Sequence, residues 1–288
     1  MARSTFRRFF TYAVLACALL TLACGREPAA PAPAGARTVV DDLGRTVAVA
    51  PRPERIVSLA PNLTEILFAV GAGDRVVATT TFCDYPPEAV ATARVGDTQR
   101  PDLERLIALK PDLVLVSTAS QLEGLSSRLD GLGIPTYVSN PRDLDGVLTS
   151  IERVGDAAGV REKGAALAAR LRERAAAVAA AVASRPAPKV FFVVGDEPLI
   201  TTGRGTFVDD LIRRAGGASI SGDEATEWPQ YSPEAVIGRA PEVIVLPTMS
   251  HGVGEGKVPK LLGEAPAARA GRSARSDADR VMRPAPRL

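Results

Sequence analysis

The side chains of this chain that could do chemistry are few, and most of them fall in loops. Aromatic residues make up 5% of 288 residues, yet Phe82 and Tyr85 share the loop FCDYPP, and Trp228 and Tyr231 share the loop DEATEWPQYS. Rings carried on loops offer broad apolar area at little entropic cost, which suits a clamp on a flat ligand; flanked by proline, they also serve as covers for a local core. Glu104 and Glu234 fall in the first turn of two short predicted helices, where a carboxylate is favoured by the helix dipole. Asp279 and Arg283, in DADRVMRPAPR, are spaced i,i+4, which on spacing alone makes a solvated surface pair. The inventory for catalysis is thin. His251, in SHGVGEG, is the single histidine, so it builds neither a multi-histidine metal site nor a recognisable triad. GRGT at 203–206 lacks the lysine-serine pair of a phosphate loop. Cys83 reads as a small partly buried thiol, with ligand contact as the alternative. No nucleophile and base stand together. A binding module is therefore the leading class, opposed by an exported enzyme in an α/β cleft and by a structural or adhesive lipoprotein.

The elements that must position these residues come in a repeated order. LERLIALKPDLVLV at 103–116 aligns without a gap on PEAVIGRAPEVIVL at 233–246, placing Glu104 on Glu234, Pro111 on Pro241 and Asp112 on Glu242. Each copy reads as a helix, a proline stop and a short buried strand. Upstream of the first copy, TVVDDLGRTVAVA predicts a hairpin turning about 42–45, RIVSLAP a buried strand, NLTEILFAVGAG a helix closed by glycine and RVVATT a second strand. A helix around 123–132 and a strand at 135–138 complete the first series. Upstream of the second copy, KVFFVVG is a strand and TFVDDLIRRAGG a helix ending in paired glycines. Alternating strands and helices imply mainly parallel sheets with helices on both faces. Between the series lies VREKGAALAARLRERAAAVAAAVA at 160–183, rich in strong helix formers and followed by Pro186 and Pro188. At about 1.5 Å per residue it forms a rod roughly 35 Å long. The expected architecture is α/β: two similar lobes with mainly parallel sheets, 38–142 and 186–288, joined through a helical connector at 143–185. Paired lobes make a cleft, a favoured place for a small ligand.

The bulk composition is compatible with such a body: 46% apolar, 24% charged, with 35 Lys and Arg against 33 Asp and Glu. Arginine is scattered rather than striped, which argues against nucleic acid as a partner. Residues 1–24 follow the plan of a signal peptide: Arg3, Arg7 and Arg8, an apolar run, then LTLAC. LTLAC resembles a bacterial lipobox, with Thr21 where an aliphatic residue is commoner, so Cys24 is expected to carry a lipid anchor, with plain signal-peptidase cleavage and an uncleaved anchor as the alternatives. The Pro/Ala-rich segment 25–37 is then a tether that holds the body off a membrane. Cys17 lies in the apolar run, and Cys83 has no cysteine left to pair with in the mature body.

RIVSLAPNLTEILFAVGAGDRVV, DYPPEA, LERLIALKPDLVLV, TFVDDLIRRAGG and WPQYSPEAV occur in order and at sensible spacing. Together they resemble the substrate-binding lipoproteins of ferric-siderophore and vitamin B12 ABC importers, in particular the cobalamin-binding branch. The resemblance runs from about Thr38 to the end. It implies a non-enzymatic, monomeric receptor outside the cytoplasm, with a helical backbone between its lobes, that hands its cargo to a permease dimer with its ATPase. Cobalamin is then cargo, with no resident cofactor or metal. The resemblance places Phe82, Trp228, Asp279 and Arg283 at the corrinoid site, with Tyr85 beside Phe82, and it gives Glu104 and Glu234 the role of pairing with permease arginines. Two tryptophans of the branch are replaced here by Thr98 and Ser117, which keeps a siderophore or haem open as the ligand. Two further expectations concern the end of the chain. The family continues past PAPRL into another helix, and 265–275 is poor in apolar strand residues, so a shortened second lobe with an incomplete core is expected.

Overall fold

In a computed structural model, residues 35–118, 123–248 and 262–287 are described. The expectations for Cys17, Cys24 and His251 lie outside these residues. A hairpin opens the described body: β1 (Arg37–Val40) pairs antiparallel with β2 (Thr46–Val49) across the predicted turn. The N-terminal lobe follows with β3 (Ile56–Ser58), α1 (Pro61–Ala69), β4 (Val76–Thr79), α2 (Pro87–Val90), β5 (Ala93–Arg94), α3 (Leu103–Ala108), β6 (Leu113–Ser117), α4 (Glu123–Gly131) and β7 (Thr136–Ser139). Its five strands form one parallel sheet in the order β5-β4-β3-β6-β7.

The alternation of the strands decides which core each residue enters. Ile56, Leu113, Leu115 and Tyr137 point to a cluster shared with the hairpin and α1. Val57, Val114, Val116 and Val138 point to the opposite cluster, closed by Leu106 of α3 and Leu129 of α4. The chain then runs through α5 (Leu144–Ala157) and α6 (Arg161–Val182). Here the structure narrows the expected connector at 143–185. Leu144, Val147, Leu148, Ile151 and Val154 are buried in the N-terminal core, so α5 belongs to that lobe and α6 is the element that leaves it. The two helices cross at glycine: a Cβ on Gly155 would lie 2.9 Å from the Cα of Gly164. Side chains there would force the backbones apart.

The C-terminal lobe comprises β8 (Lys189–Phe192), the short antiparallel pair β9 (Gly195–Asp196) and β10 (Leu199–Ile200), α7 (Phe207–Arg214), β11 (Ala218–Ser219), α8 (Pro233–Arg239), β12 (Val243–Thr248), α9 (Pro266–Arg269), β13 (Ser273–Asp277) and α10 (Ala278–Val281). Its parallel sheet has the order β11-β8-β12-β13. The expectation about 265–275 is corrected in part. SARSD forms a full strand although nearly all of it is exposed, because Ile244 to Thr248 pair with Ser273 to Asp277 residue by residue. A backbone ladder needs no apolar side chain where a central strand supplies the template.

The lobes meet through more than the rod. Phe207 and Leu211 of α7 pack on the cluster that holds α5 and α6. Asp210, 5% exposed, accepts a hydrogen bond from the Leu144 amide at 3.0 Å, and Arg214 bridges Asp210 and Asp145, at 2.7 Å to each.

Candidate functional site

The strands of both sheets are parallel, and the loops that follow their C-terminal ends carry the candidate side chains, as expected for ligand sites in open α/β sheets. After β4 come Phe82 and Tyr85, which stay exposed at 56% and 41%. Cys83 between them turns inward and is fully buried, 3.2 Å from the hydroxyls of both Thr64 and Thr80. The reading of Cys83 as a packed thiol therefore holds, and it is fully rather than partly buried. In the opposite lobe Trp228 is 46% exposed. Its loop is fixed by the chain after β10: the Thr201 amide donates to the Pro229 carbonyl at 3.1 Å and the Gly203 amide to that of Glu227 at 2.9 Å. Tyr231, the fourth loop aromatic, is no clamp. Its ring stands edge-on to Phe191 at 6.5 Å between centroids, Arg239 covers it at 5.2 Å, and its hydroxyl donates to Glu224 at 2.9 Å. Burial, and then that hydrogen bond, push the phenol up to about 12.

After β13 the chain caps α10 through Asp277, whose side chain accepts from the Asp279 amide at 2.9 Å, and then crosses to the N-terminal lobe. Asp279 and Arg283 do pair, at 2.9 Å, but each is only about one-fifth exposed, so the pair is not a solvated surface one. Arg283 also reaches Asp84 at 2.8 Å and Glu65 at 3.5 Å. Beyond it, Arg287 makes a forked contact with Glu65, at 2.7 Å to each carboxylate oxygen, and its guanidinium lies 4.0 Å from the centroid of the Tyr85 ring. Such a bidentate pair is strong and directional. Burial alone would lower the Arg283 pKa; the Asp84 hydrogen bond and the charges of Asp84, Asp279 and Glu65 outweigh it, so the net shift is upward. Three carboxylates thus face two arginines where the lobes meet, and on the other rim Arg142 approaches Glu227 at 3.5 Å.

The structure therefore gathers Tyr85, Asp279 and Arg283 into one cluster, and it sets Phe82 and Trp228 on opposite lobes, each within two residues of a bridge between them. Glu65, Asp84 and Arg287 were missed from the sequence. The available signal is Glu65 itself, the single charge in the mostly apolar helix PNLTEILFA, since a charge buried among apolar neighbours needs a partner. Thr98, where the branch has a tryptophan, brings its hydroxyl within 3.4 Å of that of Thr80, and Ser117 is buried at the end of β6. Among the described residues no group of three or more His, Cys, Asp or Glu could hold a metal ion.

The repeated unit is equivalent in detail. Asp102 caps α3 by accepting from the Arg105 amide at 3.0 Å, and Ser232 caps α8 by accepting from Ala235 at 3.2 Å. Glu104 and Glu234 are exposed in the turns that follow. The Glu234 carboxyl is held below the usual range by its own backbone N–H and by the Ser232 hydroxyl. Both helices leave through a left-handed residue before proline, Lys110 at φ 47° and Ala240 at φ 53°.

Residues 56–274 match the periplasmic binding protein family. The chain belongs to that family. A vitamin B12-binding protein of Vibrio cholerae serotype O1 is 32% identical over 203 residues, 70% of this chain and 73% of that protein. The crystal structure of the periplasmic vitamin B12 binding protein BtuF of Vibrio cholerae superposes with a TM-score of 0.72 at 32% identity, covering 82% of this chain and 92% of the other. The periplasmic heme-binding protein RhuT from Roseiflexus sp. RS-1 gives 0.71 at 30% identity, with coverage of 81% and 93%. Membership in a family of binding proteins agrees with the lack of a catalytic constellation in the sequence.

Proposed function

We propose that this protein is the substrate-binding component of an ABC importer and captures cobalamin or a related corrinoid between its lobes. The observation that carries the reading is the pair of exposed aromatics, Phe82 and Trp228, on opposite lobes whose facing edges are spanned by Asp279, Arg283 and Asp84. Exposed rings carried by both lobes suit a flat macrocycle, and the charged groups where the lobes meet suit its amide rim or a phosphate. Tyr85 contributes its edge, since Arg287 covers one face. Haem is the second reading, favoured by the likeness to a heme-binding protein and by Thr98 and Ser117, which stand where the cobalamin branch has indoles.

The test is titration of the purified protein with cyanocobalamin, haemin and a ferric siderophore. Trp228 is the single tryptophan, so its fluorescence reports on the cleft alone. Saturable one-to-one quenching by cyanocobalamin is expected; saturation by haemin or the siderophore with none by cyanocobalamin replaces the corrinoid reading. Export and anchoring belong to the same proposal. The lipobox-like LTLAC makes Cys24 the acylation site, and Cys24→Ser is expected to abolish lipid labelling and membrane retention. Labelling that persists in the variant removes the anchor. Glu104 and Glu234, one exposed carboxylate per lobe at equivalent places, suit docking on a two-fold symmetric permease.

A further inference from the structure

Among the described residues, the buried side-chain nitrogen or oxygen without a hydrogen-bond partner is Nδ2 of Asn62. Such orphans are uncommon, because folding takes the amide from water and leaves its donors unmet. Asn62 is 6% exposed and follows Pro61 in the first turn of α1, a nine-residue helix. Its neighbours fix its place. Two residues on, the Thr64 hydroxyl lies 3.2 Å from Cys83, next to the exposed Phe82. One helical turn on, Glu65 receives Arg287 and Arg283 from the C-terminal lobe. Asn62 thus stands at the edge of the N-terminal sheet toward which the other lobe reaches. The helix itself has no use for the amide: its cap is Ala60, with no side-chain capping bond, and an alanine or leucine at position 62 would favour the helix more.

We infer that the Asn62 carboxamide reads the ligand from the N-terminal side of the cleft, donating a hydrogen bond from Nδ2 to an oxygen on the rim of the bound macrocycle. That oxygen is an amide carbonyl in a corrinoid and a carboxylate in a porphyrin. The inference rests on the binding-protein reading and adds to it a specificity-determining residue. It also divides the work between the lobes, with Arg283 offering a cation from one side and Asn62 a neutral donor from the other. A neutral donor accepts either rim without demanding a charge.

The experiment compares full-length wild type with Asn62→Ala and Asn62→Asp, using cyanocobalamin and haemin as probes. It reads Trp228 quenching for affinity and thermal unfolding of the unliganded protein for structure. Asn62→Ala is expected to weaken the ligand about tenfold while the melting temperature stays level or rises, because an unmet buried donor has been removed. Asn62→Asp exchanges donor for acceptor. It should exclude haemin, whose rim carries carboxylates, and spare cyanocobalamin, whose amides can donate in return. Equal affinity of wild type and Asn62→Ala overturns the inference alone. So does a fall in melting temperature that accompanies the loss of binding, which marks a structural amide. Wild type that responds to neither probe overturns the corrinoid and haem readings, and this inference with them.

Discussion

The two lobes share one plan and differ in how each closes its last strand. β3, β4, β6 and β7 of the first lobe correspond to β8, β11, β12 and β13 of the second, in the same spatial order. The acid after the proline does the same work in both: Asp112 accepts from the amides of Glu54 and Arg55 at 2.7 and 2.9 Å, and Glu242 from that of Lys189 at 2.9 Å. Yet β7, TYVS, is buried throughout, whereas β13, SARSD, is almost wholly exposed. After β7 the chain folds back as α5 into its own lobe. After β13 it crosses to the other lobe, where Arg283 and Arg287 join an ion-pair cluster on Glu65. The segment after β13 therefore packs on the neighbouring lobe, and it carries Arg283, a candidate ligand group. In that lobe the contact with the neighbour and the candidate site share a side chain, Arg283.

The largest expected effect comes from cutting this crossing. Glu65 is 2% exposed, while Arg287 keeps 19% exposure and Arg283 21%. Removing Arg287 leaves a buried carboxylate with only the longer Arg283 contact at 3.5 Å; removing the carboxylate frees two arginines that can turn to water. Arg287→Met should therefore lower stability by about 3 kcal/mol and Glu65→Gln by about 1 kcal/mol, measured by urea unfolding. The opposite ranking would show that Glu65 is not the buried centre of the cluster. In both variants amide exchange should quicken in β13 before β7 if the C-terminal lobe leans on its neighbour.

How far the sequence alone reached follows the same division. Elements whose cause is local are legible: α8 stops just before Pro241, as the proline requires, and the hairpin turns about 42–45. The parallel sheets followed from apolar runs between helices. What could not be read depends on partners far apart in the chain. β13 has no apolar pattern, and only the ladder to β12 makes it a strand. Glu65 looks like one acid among leucines until Arg287 arrives from the far end of the chain, and Tyr231 looks like Trp228 until Phe191 claims its ring. The loop aromatics and the i,i+4 spacing of Asp279 and Arg283 can be read in the sequence; the separation of Phe82 and Trp228 onto two lobes, and the charge cluster between the lobes, cannot.

The second effect is smaller and should be equal in both lobes. Lys110 and Ala240 hold left-handed backbone at matching positions, each ending its helix before proline. A side chain there is strained by Cβ, and glycine relieves the strain while adding freedom to the unfolded chain. Lys110→Gly and Ala240→Gly should each raise stability by about 0.5 kcal/mol, read from urea midpoints. A gain in one lobe with a loss in the other would mean that the repeated turn is under different constraints, and the equivalence of the two copies would end at helix α3 and helix α8.

The smallest effect on the fold, and the most telling for function, is expected from replacing Glu104 and Glu234 together by glutamine. Both side chains are exposed, and neither enters the ion pairs between the lobes. Melting temperature and ligand affinity should match wild type. Association with the cognate permease in detergent or nanodiscs should weaken, and its dependence on salt should flatten, because exposed complementary charges act through a screened field. The acid limit adds a separate reading. Glu234 is held below the ordinary value near 4.5 by its own backbone N–H and then by Ser232. Its charge is present above that ordinary value and is lost only as pH falls through the depressed one. Docking through Glu234 should therefore outlast the pH at which an ordinary glutamate is half neutral, and Ser232→Ala should move that limit upward. A double variant that docks and supports uptake as wild type does would leave the two glutamates as first-turn residues favoured by the helix dipole, and the likeness of the lobes would be architectural alone.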